Sequence, residues 1–180
     1  MVLVFLANGF EEIEALTPVD ILRRGGVEVT TAGVGGKTVV SSHRITVEAD
    51  AAASELHDFS EVEAVILPGG MPGTLNLEKD PTVIQAVTYC AEKGLLLGAI
   101  CAAPSILGHL GLLQGKKAVC YPSFEQELRG AVPCEQYVCR DGQIITARGM
   151  GVSTEFGLEL LAALKGEETA RKVKASIQCP

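Results

Sequence analysis

The chain has 180 residues, with 15 Lys and Arg against 22 Asp and Glu for a formal net charge of −7, and it is 47% hydrophobic but only 4% aromatic. That length suits one domain, residues 1–180, able to bury roughly 70% of its unfolded surface. The scattered basic residues exclude the clustered positive surface that nucleic acids need, and no apolar run nears the roughly 20 residues of a bilayer span, so neither a nucleic-acid nor a membrane partner is expected.

The opening VLVFL at 2–6 has no basic flank or small-residue cleavage site before the charged FEEIE and reads as a first strand rather than a leader. Residues 11–24, EEIEALTPVDILRR, place Ile13, Leu16, Val19, Ile21 and Leu22 on one face of a helix that Gly25-Gly26 stops and Pro18 is placed to bend. VEVTTA at 27–32 is a second strand, and the alternating stretch 37–49 reads as a hairpin attached to the main sheet. AVILP at 64–68 and LLLGAI at 95–100 are apolar on both faces and are followed by helical patterns at 81–93 and 104–113. QYVCRDGQIITAR at 136–148 turns on Asp141-Gly142 as another hairpin of the main sheet. GVSTEFGLELLAALKG and EETARKVKAS complete the chain as two amphipathic helices. Strands and helices in alternation predict an α/β sandwich: a mostly parallel sheet with helices on both faces.

The six cysteines, Cys90, Cys101, Cys120, Cys134, Cys139 and Cys179, are even in number. A chain that builds its own core needs no disulfide framework, so reduced thiols and a cytoplasmic location are expected. There is no CxxC, and His43, His57 and His109 lie far from any paired cysteines, so no structural zinc is expected.

Three segments carry chemistry. In LLLGAICAAPSIL, 95–107, an apolar strand stops at Cys101 and a helix begins at once, flanked by the small residues Gly98, Ala99, Ala102 and Ala103 and opened by Pro104. That is the pattern of a nucleophile elbow, and the helix N-terminus is expected to lower the thiol pKa. Spacing alone leaves a second reading, a buried small hydrophobe, and the other five cysteines take that reading by default. The turn PGGMPG, 68–73, lacks the P-loop pattern; it either aims a backbone N–H at Cys101 or is an ordinary tight turn. In FEEIE, 10–14, Glu11 and Glu12 read as carboxylates that complement the helix dipole. Glu14 follows strand one at the same sheet edge as Cys101, where a carboxyl beside a thiolate retains its proton and serves as acid and base.

Together FEEIE, LPGGMPG and GAICAAP resemble the ThiJ/PfpI superfamily, and more narrowly its parkinsonism-associated deglycase branch with the close bacterial members. The likeness runs through PVDILRRGGVEVTTAG, VVSSHRITVEAD and ITARGMGVSTEFGLELLAAL to the last helix. It implies a flavodoxin-like fold related to class I glutamine amidotransferases, and a homodimer. It also implies an oxidation-prone nucleophile at Cys101, a protonated glutamate at Glu14, oxyanion-type backbone donors at Gly70 and Ala102, and a turn shaped by Gly69. Arg24 and Arg44 fall at arginines near the family's dimer interface and active site.

The departure is Tyr121 in KAVCYP, which stands where several relatives carry a histidine. Tyrosine, with a reference pKa near 10, is a poor general base at neutral pH, and none of the three histidines matches a catalytic position, so a Cys-His-Asp/Glu triad is not expected. Tyr121 either lines the substrate pocket or simply packs. The resemblance implies a cofactor-independent enzyme acting on reactive α-oxoaldehydes such as methylglyoxal and glyoxal, or on their early glycation adducts, to give hydroxy acids. The alternative is an oxidative-stress sensor or redox-dependent chaperone using the same Cys101. A thiamine-pathway or phosphatase role finds no phosphate motif or metal constellation.

Overall fold

A computed structural model describes all of residues 1–180. Along the strand β1 (Val2–Leu6) every side chain is fully buried, and the two-residue alternation of a strand divides them between two cores. Val2, Val4 and Leu6 pack in one cluster with residues of α1 (Glu12–Arg24), α5 (Ser153–Lys165) and α6 (Glu167–Ser176). Leu3 and Phe5 pack in the other, against α2 (Gly73–Lys79), α3 (Pro81–Lys93) and α4 (Pro104–His109). A strand apolar on both faces thus lies inside a three-layer sandwich.

Six further strands complete the main sheet: β2 (Val29–Gly33), β5 (Ala51–Ala52), β6 (Ala64–Leu67), β7 (Leu96–Ile100), β10 (Val138–Asp141) and β11 (Ile144–Ala147). Their order is β10-β11-β7-β6-β1-β2-β5, and every pairing is parallel except β10 with β11. From β1 the chain builds outward to β2 on one side and returns to β6 on the other, which makes the carboxyl edge between β1 and β6 a switch point where a crevice opens. The α/β sandwich read from the alternating elements, and the flavodoxin-like arrangement that the resemblance implies, are the ones observed. No helix is long and apolar enough to cross a membrane.

Several local expectations require correction. The 37–49 hairpin, β3 (Thr38–Val40) with β4 (Thr46–Glu48), is a separate two-stranded sheet and not part of the main one. Its polar side chains face water, and it is tied instead to the loop after β1, through Gly9 N–H to Val40 O at 2.8 Å and Ser42 N–H to Phe10 O at 2.8 Å. The helix expected over 104–113 ends at His109, ahead of the left-handed Gly111 (φ 73°). Helix α2 and the small parallel pair β8 (Lys117–Ala118) and β9 (Val132–Pro133) have too few apolar residues to show a period.

The first turn of α1 is inverted relative to its amphipathic pattern. Ile13, expected in the core, is 44% exposed, whereas Glu12 and Glu14 are buried. Val19, Ile21 and Leu22 are buried as expected, and the helix continues through Pro18 to Gly25. A helix that turns carboxylates inward at its start does so where something other than packing needs them.

Candidate active site

Glu11 caps α1, its Oε2 accepting the Glu14 N–H at 2.7 Å, so the helix starts with Glu14 one turn in and facing the sheet edge. The Glu14 side chain is 1% exposed, and its Oε2 accepts the Gly69 N–H at 3.0 Å. The turn after β6 is held in the other direction by Glu11 N–H donating to Gly69 O at 3.0 Å. A Cβ at Gly69 would stand 2.6 Å from Cys101 Cβ and 2.7 Å from Glu14 Oε2. The glycine is therefore the space in which the carboxyl and the thiol meet.

Cys101, directly after β7, has φ 64°, in the left-handed region that disfavours residues with a Cβ. Two bonds pin it there: Cys101 N–H to Ala147 O at 2.9 Å, and Tyr121 N–H to Cys101 O at 2.8 Å. This is the nucleophile-elbow geometry expected from GAICAAP. The thiol and the Glu14 carboxyl lie within hydrogen-bonding reach, and the N–H groups of Gly70 and Ala102 face the sulfur. Cys101, Glu14, Gly69, Gly70 and Ala102, drawn from the first turn of α1 and the loops after β6 and β7, are thus brought together.

The electrostatics differ from the sequence expectation in two respects. The Glu14 carboxyl is raised from 4.5 to about 7, so it is about half protonated at neutral pH, but burial raises it and the hydrogen bond with the Cys101 thiol works the other way. The Cys101 thiol is not lowered. Burial and the neighbouring Glu14 charge push it to about 12, opposed by the N–H groups of Gly70 and Ala102. Cys101 stands three positions ahead of the six-residue helix α4, outside its first turn, where the dipole effect falls off. The pair consequently holds two protons below about pH 7 and one shared proton above it, and these steps belong to the pair rather than to either group.

Beside the pair is a cleft of about 540 Å³ lined by Tyr121, Pro122, Tyr137, Arg148, Gly149, Met150, Gly151 and Val152. A Cβ at Gly149 would stand 3.3 Å from the Tyr121 ring and 3.7 Å from Glu14 Oε1, so the cleft opens onto the carboxyl. Tyr121 is 51% exposed and lines this cleft. The sequence reading did not single out Arg148 or Tyr137, because neither lies in a recognisable motif; only the pairing of β11 beside β7 brings Arg148 next to Cys101.

His43 pairs with Glu12 at 2.9 Å, His109 bridges Glu78 at 2.5 Å and Glu127 at 2.8 Å, and His57 is exposed. Arg24 pairs with Asp20 at 2.6 Å, and Arg44 adopts φ 66° in the turn between β3 and β4. Glu11, Glu12 and His43 each present one ligand atom within 4.8 Å of the others, the grouping in the chain best able to accept a cation.

The chain matches the DJ-1/PfpI family over residues 1–163. It is 36% identical over 179 residues to the Parkinson disease protein 7 homolog of Danio rerio, covering 97% of this chain and 95% of that protein. Over 179 residues it is 40% identical to protein DJ-1 homolog B of Arabidopsis thaliana, covering 98% of this chain but spanning only 41% of that longer protein. It is 29% identical over 160 residues to the glutathione-independent glyoxalase DJR-1.2 of Caenorhabditis elegans, covering 88% of this chain and 84% of that protein. Among solved structures, oxidized DJ-1 of Toxoplasma gondii superposes with a TM-score of 0.94 at 35% identity, covering 98% of this chain and 97% of that one.

Proposed function

The chain belongs to the DJ-1/PfpI family, and from that premise we propose that it is a cofactor-independent cysteine enzyme converting reactive α-oxoaldehydes, or their early glycation adducts, into hydroxy acids. The observation that carries this reading is the strained Cys101 held against Glu14 and the N–H groups of Gly70 and Ala102. The glyoxalase relative in Caenorhabditis elegans supports the substrate class.

With methylglyoxal the chemistry proceeds in balanced steps. In the singly protonated pair the proton moves to Glu14, leaving charge on sulfur, and the thiolate adds to the aldehyde carbon. The alkoxide forms against the Gly70 and Ala102 N–H groups and takes the Glu14 proton, giving a hemithioacetal. Glu14 then removes the proton from the former aldehyde carbon to give an enediol and returns it to the adjacent carbon, while the hydroxyl proton passes from the first oxygen to the second, which yields a thioester of lactate. Water cleaves the thioester, releasing lactate and restoring the Cys101 thiol, with no net oxidation. Tyr121 lines the pocket in this scheme and transfers no proton.

Purified protein given methylglyoxal without glutathione is expected to form lactate, and Cys101→Ser and Glu14→Gln are each expected to abolish it. A wild type without steady-state turnover would sink the enzyme reading.

A second reading uses the same pair as an oxidation sensor, in which peroxide converts Cys101 to a sulfinate that the Glu14 proton stabilises. The oxidized form in which the Toxoplasma gondii relative was solved favours it. Mild peroxide is expected to modify Cys101 ahead of the other five cysteines in intact-protein mass spectra; equal oxidation of all six would refute it. A homodimer belongs to both readings, with the exposed Ile13 offering apolar surface for it, and sedimentation as a monomer at micromolar concentration would count against it.

A further inference from the structure

Arg148 is a cation without a counter-ion in an acidic chain. No carboxylate lies within 4.0 Å of its guanidinium, whereas Arg23, Arg24 and Arg140 each pair with one. Its Nε is buried with no hydrogen-bond partner. A buried donor left unpaired costs free energy that a bound acceptor recovers.

The guanidinium is nonetheless held in place. Nη2 donates to Glu135 O at 3.1 Å, and the Cζ atom sits 4.9 Å from the centre of the Tyr137 ring, a cation–π contact. The backbone is anchored by Arg148 N–H to Tyr137 O at 2.9 Å. The preceding residue, Ala147, accepts the Cys101 N–H, so Arg148 follows directly on the strand that supports the nucleophile. Arg148 is also the only charged residue lining the cleft that opens onto Glu14. Arg148 also lines a second, smaller cavity of about 150 Å³ together with the carboxylate Glu125, but the two form no ion pair.

We propose that Arg148 is an anion-recognition residue of this site, and that the preferred substrates are early oxoaldehyde adducts carrying a carboxylate. This rests on the enzyme reading above and narrows it. A hemithioacetal between methylglyoxal and a small thiol acid would place its carboxylate on the guanidinium, with its former aldehyde carbon directed at Cys101. Cys101 sulfur then forms a bond to that carbon as the carbon–sulfur bond to the thiol acid breaks, and the departing thiolate takes the proton held by Glu14. The released thiol acid and the enzyme-bound hemithioacetal account for every atom, and the remaining steps to lactate are those already given. A charge-assisted bond from a fixed, planar guanidinium is what distinguishes such an adduct from a neutral one.

The test compares two methylglyoxal adducts that differ only in charge, those of N-acetylcysteine and of N-acetylcysteine amide. Wild type is expected to favour the carboxylate adduct by about tenfold or more in kcat/KM. Arg148→Gln should bring that ratio close to one, mainly through KM, and Arg148→Lys should restore part of it. Equal kcat/KM for the two adducts in wild type, or an unchanged ratio in Arg148→Gln, would overturn the proposal. Binding reads the subsite without turnover: a Cys101→Ser variant, followed by NMR, should bind N-acetylserine about tenfold more tightly than its amide, and lose that preference when Arg148→Gln is added. No preference there overturns the subsite, whereas a wild type that makes no lactate from methylglyoxal alone overturns only the enzyme reading.

Discussion

Glu14 Oε2 accepts the Gly69 N–H at 3.0 Å, and with the return bond from Glu11 N–H to Gly69 O this fixes the first turn of α1 to the loop after β6, beside Cys101. The bond satisfies one carboxylate oxygen and leaves the group free to exchange a proton with sulfur.

Gly69→Ala should destroy the site while sparing the fold. The added methyl would meet Cys101 Cβ at 2.6 Å and Glu14 Oε2 at 2.7 Å, so the thiol and carboxyl must separate. Overpacking of this kind costs about 1–3 kcal/mol. Lactate formation should fall at least about 100-fold, since displacements near 1 Å cost that much in a positioned reaction; retention of full activity would contradict the geometry.

The Glu14 carboxyl titrates near 7 in the folded chain against 4.5 for the free group. The native state therefore binds this proton more tightly than the unfolded chain, and the stability it provides is complete below about pH 4.5 and lost as pH rises through about 7. A displacement of that size corresponds to about 3 kcal/mol. Urea midpoints measured at pH 5 and pH 8 should fall more for wild type than for Glu14→Gln, which has no proton to lose; parallel falls would place the pH dependence elsewhere.

Replacing Cys101 separates function from strain. Cys101→Gly should raise stability by about 1 kcal/mol, because glycine occupies φ 64° without the penalty paid by a residue with a Cβ. Cys101→Ala keeps the strain and should not show that gain. Both are expected to abolish the proposed activity, and the comparison is a pair of denaturation curves.

His109 bridges Glu78 and Glu127, and these two carboxylates raise its pKa, with Glu127 the larger influence. A raised folded-state pKa means that the stability from this group is fully present below the unfolded value near 6.5 and is lost as pH climbs through the higher folded value. His109→Asn should remove that loss, seen as a smaller change in Tm between pH 6 and pH 9 than in wild type. The same change in both proteins would exclude the histidine.

Phe156 on α5 is fully buried in the core cluster that contains β1 and α1. Phe156→Ala should cost about 3–5 kcal/mol through lost burial and the remaining cavity. The effect should appear in the urea midpoint with little change in the slope of the transition.

The sequence made particular parts of this legible. The apolar runs at 2–6, 64–68 and 95–100 became β1, β6 and β7 because a strand covered on both faces has a composition no surface element shares. GAICAAP was readable as a tight strand-to-helix turn because small residues flank Cys101 on both sides, and Cys101 adopts φ 64° there. The first turn of α1 misled: Ile13 fits an amphipathic stripe, yet it is exposed while Glu12 and Glu14 are buried. Periodicity assigns burial by hydrophobicity, and a turn that turns carboxylates inward toward a thiol violates it.

Sequence by itself determined the α/β architecture, the strand that ends at Cys101 and, through resemblance, the family. These depend on local composition and on motifs continuous in the chain. The tertiary structure alone decided the height of the thiol pKa, the separation of the 37–49 hairpin from the main sheet, and the place of Arg148 beside the site. Each of those is set by groups far apart in sequence: a desolvating wall, a tether to the loop after β1, and the pairing of β11 against β7 that carries an unpaired cation to the edge where Cys101 stands.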